Sequence, residues 1–79
     1  MKYEEILEKV ISVFASIAET EDDITSDSEL MEDLNLSSMD TLMMMTVLEE
    51  EFKISIPEKE IREMYTVGDV ADIVIKRMK

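Results

Sequence analysis

Apolar residues open the chain with a helical beat. Tyr3, Ile6, Leu7, Val10, Ile11, Phe14 and Ile17 recur at steps of three and four, and Glu4, Glu5, Glu8 and Lys9 take the other face. This predicts a helix over about residues 2–18. The beat then stops. AETEDDITSDSELMEDLNL, residues 18–36, is rich in Asp, Ser and Thr, whose side chains compete with helix by bonding to nearby backbone. So long a connection is unusual in so short a chain. Ile24, Leu30, Met31, Leu34 and Leu36 are expected to pin it to the helices, with a short helical turn near Leu30. Asn35 suits a left-handed turn, since Asn tolerates that region better than most residues.

A second helix is predicted from Ser38 to Phe52. Ser37 is a good N-cap, and Asp40 stands three residues on, a variant of the capping box. Met39 to Glu51 contains no Gly or Pro. Lys53 and Ile54 lead out of it. Pro57 fits the first turn of a third helix, PEKEIREM, residues 57–64. Thr66 caps a fourth, with Asp69 three residues later. Its stripe is Val67, Val70, Ala71, Val74 and Met78, widened by Ile73, and Lys76, Arg77 and Lys79 crowd its end, where cations favour the helix dipole. The stretch ISI at 54–56 is too short to build a sheet. The fold class is therefore all-α, in one domain spanning 1–79 without internal repeat or low-complexity tract.

The second helix carries more apolar surface than one face can bury. At 100° per residue, Met44, Leu48, Phe52 and Met45 share an arc, with Val47 at its margin. Met39, Leu42 and Met43 fall outside that arc, beside Thr46, Glu49 and Glu50. Either this helix is covered on two sides by the loop and its neighbours, or it presents an apolar strip with an acidic rim to a partner. Methionine is flexible and polarisable, which suits a surface that meets several partners. The Glu49–Glu50–Glu51 run alone is a solvated face; beside the strip it would steer a basic partner.

Composition then narrows the chemistry. The chain has 79 residues, 20 acidic and 8 basic, for a formal charge of -12. Its hydrophobic fraction of 46% separates it from acidic tails that cannot collapse. It has no histidine, so a Ser-His-Asp arrangement is closed. It has no cysteine, so there is no thiol nucleophile and no cysteine-held zinc. The acid excess repels nucleic acid and favours basic protein surfaces. An EF-hand is excluded: a loop from Asp22 would put Asp27 and Asp33 where Gly and Glu are needed, and one from Asp23 would put Ser28 and Leu34 there. No metal site is expected. MKYEEILEKV lacks the apolar core of a signal peptide, and no apolar run approaches the roughly 18 residues of a membrane span. A soluble, cytoplasmic protein is expected.

Ser37 and Ser38 lie at the start of the strip-bearing helix. A serine there is ordinarily a cap, and no base in this chain could activate either hydroxyl, so covalent chemistry would need another enzyme. The free N–H groups of a helix start do favour a phosphate attached nearby.

EDLNLSSMDTLMMMTVLEEEFKISIPEKEI resembles the core of acyl carrier proteins, whose pattern reads roughly E-D-L-G-L-D-S-L-D, followed by a helix ending in L-E-E-E-F-x-I-x-I-P. YTVGDVADIV looks like the last helix of that family, and the first helix and acidic loop also match. The resemblance implies a small four-helix bundle with a long loop between helices one and two and a short third helix. It implies that a phosphopantetheinyl transferase attaches a 4'-phosphopantetheine arm, and aligning Leu34, Leu36 and Asp40 puts it on Ser38. The arm ends in a thiol that carries acyl groups as thioesters. The protein would then be a monomeric, non-catalytic shuttle of fatty acid or related acyl biosynthesis, partly sheltering its cargo between helices. Its partners would be acyl-transferring and acyl-modifying enzymes with basic docking surfaces. The resemblance implies that Ser37, Met39, Asp40, Leu42, Met43, Glu49 and Glu50 meet those partners. An aminoacyl or peptidyl carrier, and an unmodified adaptor, are the alternatives. The chain departs from the family in having Ser37 for Asp, Asn35 for Gly, Met39 for Leu and Met43 for Glu, which points to a specialised member.

Overall fold

The computed structural model describes residues 2–17 and 23–78. Four helices follow in order: α1 (Tyr3–Ile17), α2 (Ser38–Phe52), α3 (Glu58–Ile61) and α4 (Val67–Met78). The start of the long loop and Lys79 lie outside the described residues, as does the expected extension of α1 to residue 18. α1 packs chiefly against α4, and more lightly against α2. The core is built as the apolar periodicity requires. Ile6, Val10 and Phe14 come from α1; Met44, Met45 and Leu48 from α2; and Val67, Val70, Ala71 and Val74 from α4.

The loop is pinned as expected by Leu30, Leu34 and Leu36, all buried, while Ile24 is half-buried. Met31 departs from expectation and is exposed. The reason is local. Asp33 N and Leu34 N both bond to Glu29 O, so residues 30–33 form a single helical turn. Leu30 and Leu34 then share its inner face, and Met31 points about 100° away from Leu30. Asn35 is left-handed (φ 57°), as expected. Lys53 is left-handed too (φ 55°) and ends α2, its N–H bonding to Glu49 O. Nothing in its side chain announces this.

The loop is stitched to the start of α4 through backbone. Leu30 N donates to Tyr65 O (2.8 Å), Val67 N to Ser28 O (3.0 Å) and Gly68 N to Ser26 O (2.8 Å). A Cβ on residue 68 would stand 3.0 Å from Ser26 O, so glycine allows this approach. Thr66 and Asp69 exchange the two capping bonds that the sequence predicts.

Three further expectations are corrected. α3 ends at Ile61 rather than Met64, because Glu63 N and Met64 N bond three residues back and the tightened turn drives Met64 into the core. Tyr3 and Met78, read as stripe residues, lie at helix ends and stay out of the buried core, each about two-fifths exposed. Lys76 and Arg77 do more than favour the α4 dipole. They reach sixteen and seventeen residues back to buried Glu60, at 2.9 and 2.8 Å, and so clamp α3 to α4.

The hydrogen bond from Arg77, then that from Lys76, holds the Glu60 carboxyl down at about 2, below its ordinary 4.5. A depressed carboxyl contributes stability that is fully present above the unfolded-state value and is lost as pH falls through the folded one. Glu60→Gln is therefore expected to lower the melting temperature at pH 7, with the gap to wild type closing between pH 4.5 and about 2. A gap that stays constant across a pH series of thermal melts would show that the clamp is not electrostatic.

Candidate functional site

The two serines at the start of α2 are not equivalent. Ser37 is extended (φ -83°, ψ 172°), outside the helix. Its Oγ accepts from Asp40 N at 3.2 Å, and its N donates to Asp40 Oδ2 at 3.1 Å, which closes the predicted capping box. Its carbonyl accepts from Thr41 N and Thr41 Oγ1, both at 3.0 Å. Ser37 is thus committed to starting the helix. Ser38, its first helical residue, is exposed, and its hydroxyl has no hydrogen-bond partner among the described residues.

Ser38 stands on the lip of a hollow of about 560 Å³ between the loop turn, α2 and the α3–α4 connection. Its floor is apolar, from the buried Leu30 and Met64 and the half-buried Ile61, and Leu42 forms a wall. Glu29, Glu32, Glu58 and Arg62 supply its charges, and Met31, Thr41 and Tyr65 complete the lining. The volume lies within the range that binds small ligands.

Along α2 the two alternatives left by the sequence are resolved. Met44, Met45 and Leu48 are buried, whereas Met39 (76% exposed), Met43 (58%) and Leu42 (45%) face solvent. The strip is uncovered. Glu50 is exposed beside it, but Glu49 is not free: it is half-buried, and its Oε2 accepts from Ile56 N at 2.8 Å. Asp40, half-buried, is held in the capping box. Of the residues predicted to meet partners, Met39, Leu42, Met43 and Glu50 therefore form the open face. Ser37, Asp40 and Glu49 serve the helix or its exit as well. Sequence reasoning missed Met31, Thr41, Arg62 and Tyr65 at the hollow, since none lies in register with the strip. No group of acidic residues among those described is arranged to hold a metal ion.

This arrangement has counterparts. The family model for the phosphopantetheine attachment site matches residues 8–74. An acyl carrier protein of Borreliella burgdorferi is 44% identical over 78 residues, covering 98% of both chains. The chain belongs to the acyl carrier protein family. A second relative, the acyl carrier protein of Thermosynechococcus vestitus, is 36% identical over 75 residues, covering 94% of this chain and 93% of its own. The fold agrees. The acyl carrier protein of Enterococcus faecalis superposes with a TM-score of 0.80 at 28% identity, over 98% of this chain and 99% of its own. That of Thermotoga maritima gives 0.81 at 25% identity, over 99% and 92%.

Carrier proteins of this family hold 4'-phosphopantetheine covalently. The site fits such a group. It offers an uncommitted, exposed serine hydroxyl, a hollow beside it with an apolar floor, and a helix start whose other serine already satisfies the cap.

Proposed function

We propose that this carrier protein holds its arm on Ser38 and delivers acyl thioesters to discrete partner enzymes. The observation that carries this reading is the division between the serines: Ser37 is spent on the capping box, and Ser38 is free at the hollow. When bound, the arm supplies a terminal thiol that holds acyl groups. The chain itself supplies the attachment oxygen, the shelter beside it and the docking face. It has no histidine or cysteine to activate Ser38, so the transferase provides the base that takes the hydroxyl proton. The protein is read as a non-catalytic cytoplasmic monomer. Among the described residues no helix is long and apolar enough to cross a membrane, and a charge of -12 opposes self-association.

Peptide mass spectrometry after incubation with a phosphopantetheinyl transferase and coenzyme A tests the assignment. The increment belongs on the Ser38 hydroxyl; its appearance on Ser37, or on neither, overturns the reading.

The open face of α2 is read as the docking surface. Met39, Leu42 and Met43 supply the apolar contact, and Glu50 with its neighbours steers basic enzymes toward it. Met43→Glu puts a charge in the middle of the strip. It is expected to raise the Kd for the protein's own partner enzymes about 5- to 10-fold. As a surface change it should alter stability by no more than about 0.5 kcal/mol. Titration of the variant against such an enzyme, alongside a thermal melt, separates the two effects. Unchanged affinity would place Met43 outside the interface.

A further inference from the structure

Among the described residues, Arg62 is the only cation in the lining of the hollow that Ser38 shares. The other charges there are Glu29, Glu32 and Glu58. A phosphodiester on Ser38 would add a further negative charge to an already acidic enclosure, in a chain of net charge -12. A local counter-charge would offset that repulsion. Lys59, the nearest other cation in sequence, is exposed on α3 and does not line the hollow.

Arg62 is available for that role. Its Nη2 donates to Glu58 Oε1 at 2.9 Å, but both side chains are largely exposed, at 77% and 66%. A pair of this kind, four residues apart on a surface, contributes little. Leaving it therefore costs little, and most of the five N–H donors of the guanidinium are uncommitted by it. The planar fork matches two phosphate oxygens at once, which an ammonium cannot do. The backbone beneath Arg62 is also held in place. Its N–H bonds to Glu58 O, and Glu60, two residues earlier, is clamped to α4 by Lys76 and Arg77.

We infer that Arg62 is a positioning residue that pairs with the phosphodiester of the arm across the hollow, in competition with Glu58. This rests on attachment at Ser38. The pairing lays the base of the arm toward α3 and over the apolar floor, so the arm is docked until a partner draws it out.

The test compares arm-free and arm-bearing forms of the wild type, Arg62→Gln, Arg62→Lys and Glu58→Gln. Two quantities are read: the ³¹P resonance of the arm, with the urea-unfolded protein as reference, and the rise in melting temperature on attachment. In the wild type the resonance is expected to stand away from the unfolded reference. Arg62→Gln moves it back toward that reference and lessens the arm-dependent rise in melting temperature. Glu58→Gln moves both the opposite way, because it releases Arg62 to the phosphate. Arg62→Lys falls between wild type and Arg62→Gln. A merely structural ion pair predicts instead that Arg62→Gln and Glu58→Gln act alike, since each breaks the same contact. Changes of the same sign, or one resonance shared by all four proteins, overturn the inference while leaving Ser38 as the attachment point. A wild-type protein that accepts no arm overturns both.

Discussion

Ser38→Ala is expected to abolish arm attachment, and Ser37→Ala to leave it in place while destabilising the fold by about 1 kcal/mol. The two hydroxyls are adjacent in sequence but differ in geometry. Ser37 Oγ accepts the Asp40 N–H, and Asp40 in turn accepts the Ser37 N–H. Removing that hydroxyl strands one helix-start donor and loosens the reciprocal carboxylate bond. Ser38 Oγ has no partner among the described residues, so Ser38→Ala should unfold at nearly the wild-type urea concentration. The effects are thus crossed: one variant loses chemistry without stability, the other stability without chemistry. Intact mass after incubation with transferase and coenzyme A, measured beside urea unfolding, reads both. Full attachment to Ser38→Ala would move the site to Ser37.

The second large effect is expected in the core. Phe14 lies in the last turn of α1, is fully buried, and is the largest of the fully buried side chains among the described residues. Phe14→Ala removes a ring from a close-packed interior and leaves a cavity, which costs about 3–5 kcal/mol. At about 0.05–0.15 kcal/mol per residue, a chain this short has only about 4–12 kcal/mol in total. One substitution therefore removes a large fraction of the stability, and at low ionic strength self-repulsion from the charge of -12 removes more. The urea midpoint followed by circular dichroism should fall steeply, and added salt should restore part of it. Met39→Ala, on the exposed strip, should stay within about 0.5 kcal/mol of wild type. A small change in Phe14→Ala would mean that α1 is not held as the core suggests.

Much of this molecule was legible along the chain because its information is local. The capping pairs Ser37/Asp40 and Thr66/Asp69 are three residues apart, and both formed as predicted. The rigid 100° step separates the arc of Met44, Met45 and Leu48, which turned inward, from that of Met39, Leu42 and Met43, which turned outward. What escaped was set by partners far along the chain or by single-turn geometry. No periodicity announces that Glu60 will meet Lys76 and Arg77, or that Glu49 will turn aside to hold Ile56 N. Met31 reads as one more apolar anchor until a helical turn through residues 30–33 rotates it outward. At the candidate site the motif led to Ser38, while Arg62 and Tyr65 came into view only when α3 and its exit folded across from it.

The stitching of the loop to α4 has a consequence for the cargo. Leu30 belongs to two structures at once: its side chain paves the hollow, and its N–H is tied to Tyr65 O. Behind it, the bonds from Val67 N to Ser28 O and from Gly68 N to Ser26 O continue the same seam. A short acyl chain can lie on the floor with the seam closed. For a chain that outgrew this floor, Leu30 would be the first side chain to yield, and its N–H bond to Tyr65 O the first backbone bond to resist.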